Sequence, residues 1–458
     1  MKALFTLGLR DASERLARGE FTSEALTASC IRRIAALEPQ VEAWEWIDDT
    51  RALRLARKAD ERRLAARAGG SANAADVLPL TERGSLAGIP VGVKDIIETA
   101  GIPTRMGSAI YRDYVPQRSA PLLDRLAASG AFMLGKTVAT EFAFTVPSRT
   151  RNPWNLAHSP GGSSSGSAAA VACGMVPGAI GTQTNGSVIR PAAYCGVVGY
   201  KPGKGRISTA GMLPFSTTLD QPGVFARSVA DAGLLASWLT HSDGVISRRI
   251  AALRTAPSVI ALGSPVWHKA EEPMRARFVA DIAALRAGGA TVTERELPHA
   301  FDDGYRTHRV IMLYEAARAS RAVRRHHGAQ ITPLLRDALD EGDGIADEDY
   351  RRALGLREEL TEMLGKFLDD RCEAIITPPT TGEAPTLEST GDPAFCTLWS
   401  LCGVPAITIP TGFGPRGLPL GLQIVGRAGE SNHLLAVAAW CEARMGFKGM
   451  LARGERSS

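Results

Sequence analysis

The chain has little that would support metal or disulfide chemistry. Its seven cysteines, at 30, 173, 195, 372, 396, 402 and 441, include no C-x-x-C pair. An odd, scattered set in a chain of 458 residues implies free thiols in a reducing cytoplasm rather than a disulfide framework. No H-E-x-x-H, no metal-spaced Cys/His cluster and no S-x-x-K occurs, so neither a metal nor an organic cofactor is expected. The eight histidines are dispersed, and the adjacent His326 and His327 fall in an Arg-rich stretch that reads as a solvated helical face.

Charge of one sign is missing too. The 53 basic and 48 acidic residues leave +5, too little and too dispersed for a polyanion-binding face, so no nucleic-acid partner is implied. Met1 to Leu16 lacks the apolar run of a secretory signal, being interrupted at Arg10, Asp11 and Glu14, and no export is expected. The uncharged stretch Pro393 to Pro415 is long enough for a bilayer, but Pro405 and Pro410 split it, and no membrane span is expected. With 45% hydrophobic and 22% charged residues, the composition is that of a soluble globular protein with a sizeable core.

What is present is an alternation of helix and strand signals. Residues 1–70 read as a helical layer, and Gly69 to Ser85 has loop composition. Strand character follows at Ile89 to Val93, Ala131 to Leu134 and Ala179 to Thr182, with helices over Ala120 to Ser129, Ala168 to Cys173 and Ser228 to Leu239. Residues 246 to 370 carry long Arg-rich amphipathic patterns, such as Pro273 to Ala287 and Asp347 to Phe367, whose charges read as solvated faces without a site. Late strands are expected at Ala374 to Thr377, Ala406 to Thr411 and Leu420 to Val425, then a closing helix over Asn432 to Met445. The expectation is a layered α/β architecture.

Two pattern matches lack the context that would give them meaning. Gly412-Phe-Gly414-Pro-Arg-Gly417 is G-x-G-x-x-G after a strand, yet another strand follows where a dinucleotide site needs a helix, so it reads as a hairpin loop. Gly162-Ser-Ser164-Ser-Gly166 matches a nucleophile elbow, but Asn155 to Pro160 has turn chemistry where a strand is required.

Three other pieces converge. Lysine is scarce, 9 against 44 arginines, and Lys94 ends the apolar run IPVGVK, where a buried ammonium is costly and its pKa is driven down. A neutral amine there can accept a proton from a hydroxyl supplied by the Gly/Ser segment 161 to 167. Gly181-Thr-Gln-Thr-Asn-Gly-Ser187 is small and polar after a strand, so its backbone N–H groups can face a developing oxyanion with Ser187 as nucleophile.

These residues carry a resemblance. Gly161 to Pro191, GGSSSGSAAAVACGMVPGAIGTQTNGSVIRP, resembles the amidase signature, and Lys94-Asp95 in VGVKDIIETAGIPTRMGS resembles the lysine block before it. YCGVVGYKPGKGRIS, TLDQPGVFARS, LWSLCGVPAITIP and GLPLGLQIVGR continue it in order. The chain is identified as a member of the amidase signature family, similar to its malonamidase-like subgroup. The resemblance implies an α/β fold with a central mixed twisted β-sheet covered by helices on both faces. It also implies one amidase domain over 1–458, made of a helical N-terminal layer (1–70), a signature core (76–233), a helical variable region (234–370) and a C-terminal part of the core (371–458). It places a catalytic triad on Lys94, Ser163 and Ser187, with a cis peptide at Gly162-Ser163, and an oxyanion hole on the backbone N–H groups of Thr184, Asn185, Gly186 and Ser187.

Departures are local. Ser165, Gln183 and Asn185 stand where the family pattern has a glycine, an acid and a second glycine; Asn tolerates the left-handed region and keeps its N–H. GSVIRP puts Arg190 three residues after the nucleophile, a spacing that resembles the malonamidases, in which this arginine holds a substrate carboxylate and the residue matching Thr182 also binds substrate. The implied function is hydrolysis of the C–N bond of small amides through an acyl-serine, extending to carboxylate-bearing substrates such as malonamate, by a cytoplasmic homodimer. The alternatives are a non-catalytic small-acid-binding protein and a glutamyl-tRNA amidotransferase A-like subunit.

Overall fold

The computed structural model describes residues 3–67, 85–240, 250, 253–368, 372–447 and 451–452. The expected loop Gly69 to Ser85 lies outside them except for its last residue. Eleven strands form one sheet: β1 (Trp44–Ile47), β2 (Pro90–Lys94), β3 (Phe132–Thr137), β4 (Gly178–Gln183), β5 (Val198–Lys201), β6 (Gln221–Ala226), β7 (Ser258–Gly263), β8 (Thr291–Glu296), β9 (Ala374–Thr377), β10 (Ala406–Phe413) and β11 (Pro419–Val425). Their spatial order is β1-β3-β2-β4-β6-β5-β10-β11-β9-β7-β8. The sheet is mixed: β2 runs parallel to β3 and β4, and β7 parallel to β8 and β9, while the other neighbours are antiparallel.

Burial explains why the central strands do not alternate in sequence. Every residue of β2, β4, β6, β9 and β11 is buried, as expected where helices cover both faces of a sheet. The edge strand β8, TVTERE, buries one residue in six, and its charges guard an open edge. The C-terminal strands β9 to β11 insert between β5 and β7, so both ends of the chain build one sheet.

Most expected elements stand within a few residues of their observed bounds. The GFGPRG match is the loop of the antiparallel β10–β11 hairpin, paired from Ala406↔Val425 to Phe413↔Pro419. Five strands go beyond the sequence expectation: β1, β5, β6, β7 and β8. β7 and β8 lie in the region that reads as wholly helical; they are six residues each and flanked by long amphipathic helices, whose 3.6-residue period dominates any wider window. The charges of the helix Glu272–Ala287 are not all solvated either. Asp281 is fully buried, paired with Arg277 at 2.8 Å and accepting from Thr411 Oγ1 at 2.9 Å. His326 and His327 are exposed on the helix Arg321–His327. The seven cysteines are all buried. Among the described residues no helix is long and apolar enough to cross a membrane.

Candidate active site

Lys94 is the last residue of β2, a strand between β3 and β4 whose apolar residues are enclosed on both faces. Its side chain is 0% exposed. Nζ donates to Ser163 Oγ at 2.6 Å and to Thr182 Oγ1 at 2.8 Å. The parallel pairing of Val93 with Ile180 brings the ends of β2 and β4 together, and the long lysine side chain reaches from there to Thr182. Burial drives the lysine pKa from 10.5 down to about 7, with the Asp220 charge pulling it back up.

Two other lysines are as enclosed, and their partners differ in kind. Lys136 pairs with Asp95 at 3.3 Å and donates to the carbonyl of Ile97 at 2.5 Å and to Thr104 Oγ1 at 3.0 Å. Lys201 donates to Gln221 Oε1 at 3.0 Å and to the Val404 carbonyl at 2.6 Å. A carboxylate stabilises the ammonium form, and a carbonyl accepts a hydrogen bond without having a proton to give. Lys94 has neither as a partner. Both of its acceptors are hydroxyls, each of which can exchange a proton with the amine. Gly130 to Thr137, GAFMLGKT, matches the G-x-x-x-x-G-K-T pattern of a phosphate-cradling loop. Here Phe132–Thr137 is strand β3 and its lysine is tied to Asp95, so the loop-to-helix geometry such a site needs is not formed.

The Gly/Ser segment is not a linker. Ser164 Oγ donates to the Thr182 carbonyl at 3.1 Å, Ser165 Oγ to the Gly161 carbonyl at 2.7 Å, and Ser167 Oγ to the Ile180 carbonyl at 3.1 Å. The first and last of those bonds lash the start of the helix Ser165–Ala172 to β4, and they occupy Ser164, the elbow candidate. The Gly162–Ser163 peptide is cis, and the Ser163 carbonyl accepts from Thr140 N at 3.2 Å.

Residues 184–188 turn from β4 into the helix Ile189–Cys195. Ser187 lies here, 7% exposed against 1% for Ser163. Thr184 Oγ1 donates to Asp220 Oδ1 at 2.6 Å, and Asp220 Oδ2 accepts from Phe215 N and Ser216 N, both at 2.9 Å. Gln183 fills the place of the family's acid: Oε1 accepts from Val188 N at 2.8 Å and Ile189 N at 3.0 Å, while Nε2 donates to Ser400 Oγ at 3.0 Å. Asn185 does not use the left-handed region, and its Oδ1 accepts from Thr397 Oγ1 at 2.9 Å. Gly186 sits at a close approach: a Cβ there would lie 3.0 Å from Pro393 Cβ and 3.3 Å from Cys396, so those neighbours would have to give by a few tenths of an ångström. In the hydrogen bonds of the described residues, none of the backbone amides of Thr184, Asn185, Gly186 and Ser187 donates to a protein acceptor.

Arg190 is 2% exposed. Its Nη1 donates to the Gly391 carbonyl and its Nη2 to the Gly162 carbonyl, at 2.8 Å for the latter. Nε is buried without a protein partner. Thr182, 4% exposed, turns its hydroxyl to Lys94.

The sequence patterns do not single out Asp220, Thr397, Ser400 or His308. His308 lies on the helix Gly304–Ala319, inside the region that reads as having no site, yet it is 1% exposed and its Nε2 is 3.1 Å from the Thr184 carbonyl. A carbonyl only accepts, so Nε2 carries the proton, and burial lowers the ring's pKa to about 4, keeping it neutral. Among the described residues no group of His, Cys, Asp or Glu side chains is placed to hold a metal ion.

Comparison with known proteins supplies the family. The Amidase family model matches residues 25–435. A glutamyl-tRNA(Gln) amidotransferase subunit from Roseiflexus sp. (strain RS-1) is 35% identical, over 95% of this chain and 96% of its own. Among solved structures, the native peptide amidase of Stenotrophomonas maltophilia superimposes with a TM-score of 0.80 at 30% identity, covering 96% of each chain. A glutamyl-tRNA(Gln) amidotransferase subunit of Thermotoga maritima gives 0.78 at 27% identity, over 99% of this chain and 98% of its own. With a family model spanning most of its length and a relative of this similarity aligned almost end to end, the chain belongs to the amidase family.

Proposed function

We propose that this enzyme hydrolyses small amides to a carboxylic acid and ammonia or an amine, with Ser187 as nucleophile, Ser163 as proton relay and Lys94 as base. Family membership makes the chain an enzyme acting on amides; the observation that carries the assignment of roles is the 2.6 Å bond between a fully enclosed Lys94 amine and Ser163 Oγ. With a pKa near 7, a large fraction of that amine is neutral at neutral pH and free to take a proton.

Ser187 Oγ attacks the amide carbonyl carbon while its proton passes to Ser163 Oγ and the Ser163 proton passes to Lys94 Nζ. The carbonyl π pair moves onto oxygen, where the amides of residues 184 to 187 stabilise it. Collapse breaks the C–N bond, and the proton held by Lys94 returns through Ser163 to the leaving nitrogen. Water then repeats the relay on the acyl-Ser187 ester, releasing the acid and restoring the free hydroxyl. Asp220 orients Thr184 at the start of this loop, and Thr182 holds the amine toward Ser163.

A narrower substrate class, amides bearing a carboxylate such as malonamate, is supported by the GSVIRP spacing and by Arg190 Nε, a buried donor without a protein acceptor. A second reading, in which the chain releases ammonia from an amide for partner proteins acting on tRNA, is favoured by the names of relatives such as the Roseiflexus protein. The deciding experiment is ammonia release by the purified chain alone from a panel of acidic, neutral aliphatic and aryl amides. Turnover that disappears in Ser187→Ala, with a hydroxylamine-trappable acyl adduct in the wild type, supports the free-standing amidase. Turnover that needs partner proteins supports the second reading, and binding of acids without turnover or adduct leaves a small-acid-binding protein.

A further inference from the structure

We propose that His308, on the helix Gly304–Ala319 of the variable region, is a positioning residue that aims the oxyanion-stabilising amides of the nucleophile loop. The inference rests on the assignment of Ser187 and residues 184–187 above.

Three consecutive carbonyls in the loop are each held by a separate donor: Thr184 O by His308 Nε2 at 3.1 Å, Asn185 O by Ser400 Oγ, and Gly186 O by Arg190 N at 2.9 Å. The peptides of this loop are trans. In a planar trans peptide the C=O and the following N–H point in opposite directions. Holding Thr184 O therefore fixes the direction of Asn185 N–H, holding Asn185 O fixes Gly186 N–H, and holding Gly186 O fixes Ser187 N–H. Each amide is turned away from the group that grips the carbonyl before it, and none of the three finds a protein acceptor among the described residues. Oriented donors without an acceptor are what a developing oxyanion needs.

Of the three anchors, Arg190 N belongs to the first turn of the helix that directly follows the loop, and Ser400 to the helix Ala394–Leu401, whose Thr397 also holds Asn185. His308 is the anchor that reaches across from residues 234–370. Its ring is buried and its bond is to a backbone carbonyl, so it touches no reacting atom. Through it, the packing of the variable region reaches the transition state without contributing a catalytic residue.

The test compares His308→Phe, which keeps the ring's bulk and loses the donor, with His308→Gln, whose terminal amide N–H reaches about as far as Nε2. Both are assayed on the amide that the wild type turns over fastest and on its trifluoromethyl ketone counterpart, which forms a tetrahedral adduct with a serine nucleophile. The expected result is that His308→Phe lowers kcat by about 10- to 100-fold, below the full effect of deleting an oxyanion donor, with KM within about twofold, and weakens the ketone in proportion to kcat/KM. His308→Gln restores most of the loss. A kcat for His308→Phe within about twofold of wild type overturns the proposal. So does an equal loss in both variants with KM and melting temperature moving together, because that is the signature of packing. Ser187→Ala in the same series separates the two levels: if it remains active, the assignment of the site fails, whereas an inactive Ser187→Ala beside an unimpaired His308→Phe removes His308 alone.

Discussion

Lys94 Nζ lies 2.6 Å from Ser163 Oγ, and the same nitrogen is held at 2.8 Å by Thr182 Oγ1 rather than by a carboxylate. An amine lodged between two hydroxyls in a fully enclosed site has no directly bonded counter-ion to offset its desolvation. Its charged form is the costly one, and the pKa near 7 follows.

The first prediction concerns pH. If neutral Lys94 is the base, kcat/KM rises about tenfold per pH unit on the acid side and levels off above about pH 7. Lys94→Arg, whose guanidinium stays protonated, is inactive across the range. Stopped assays of ammonia release from pH 5 to 9 check both, and a profile flat through pH 7 with chemistry rate-limiting removes the lysine from the role of base.

The second concerns stability. The folded pKa of Lys94, about 7, lies below the unfolded value of about 10.4. The unfolded chain therefore binds more protons between the two, and stability rises with pH across that window. Below it the burial cost is fully present, on the order of a few kcal/mol. Lys94→Met removes the charge while keeping the volume, so the variant is inactive yet at pH 6 unfolds at a denaturant concentration no lower than wild type. The gap between the two narrows as pH approaches 10. A Lys94→Met gap independent of pH contradicts the buried-ammonium account.

What can be read from sequence depends on the kind of signal each residue leaves. Lys94 stands out in the sequence because a charge at the end of IPVGVK is out of place, and Ser187 because small polar residues cluster around it, whereas only the family resemblance separates Ser163 from the serines beside it. Several central strands are legible as apolar runs between turns, while β8 reads as a charged stretch because an edge strand faces water on most of its positions. His308 and Ser400 leave no pattern, since each acts on a backbone carbonyl that long-range folding brings to it, 124 and 215 residues away in sequence. Asp281 escapes for a related reason: the helical period of residues 273 to 287 assigns it to a face, but only the position of Thr411 on β10 reveals that the face is covered.

The third prediction uses the direction of a hydrogen-bond chain. Gln183 Nε2 donates to Ser400 Oγ, which donates to the Asn185 carbonyl. In Gln183→Glu the carboxylate can only accept, so the Ser400 hydroxyl turns toward it and the Asn185 carbonyl loses its donor. A buried charge also appears without a cation, costing about 2–4 kcal/mol. Its folded pKa is raised, so the destabilisation is fully present above that pKa and fades as pH falls through it toward the ordinary glutamate range. Urea unfolding at pH 8 and pH 5 should show the deficit at the higher pH and its reduction at the lower; kcat falls with KM little changed. An equal deficit at both pH values argues against the charge as its cause.

The last prediction separates the two tasks open to Arg190. Its Nη atoms hold the carbonyls of Gly391 and of Gly162, the residue before Ser163, while Nε has no protein partner. Arg190→Ala strips a donor from two carbonyls around a buried site, so stability drops by about 2–4 kcal/mol, and kcat on neutral amides falls because the support behind Ser163 is loosened. If the guanidinium also meets a substrate carboxylate, malonamate loses at least a further factor of about ten in kcat/KM, since a charge-assisted contact is removed together with the support. The informative quantity is therefore the ratio of kcat/KM for malonamate to that for a neutral amide of equal length, measured in wild type, Arg190→Ala and Arg190→Lys. A ratio that drops in both variants ties substrate choice to the guanidinium's shape as well as its charge. A ratio that does not move confines Arg190 to holding the two carbonyls, and the enzyme's preference must then be set by side chains other than the one three residues beyond Ser187.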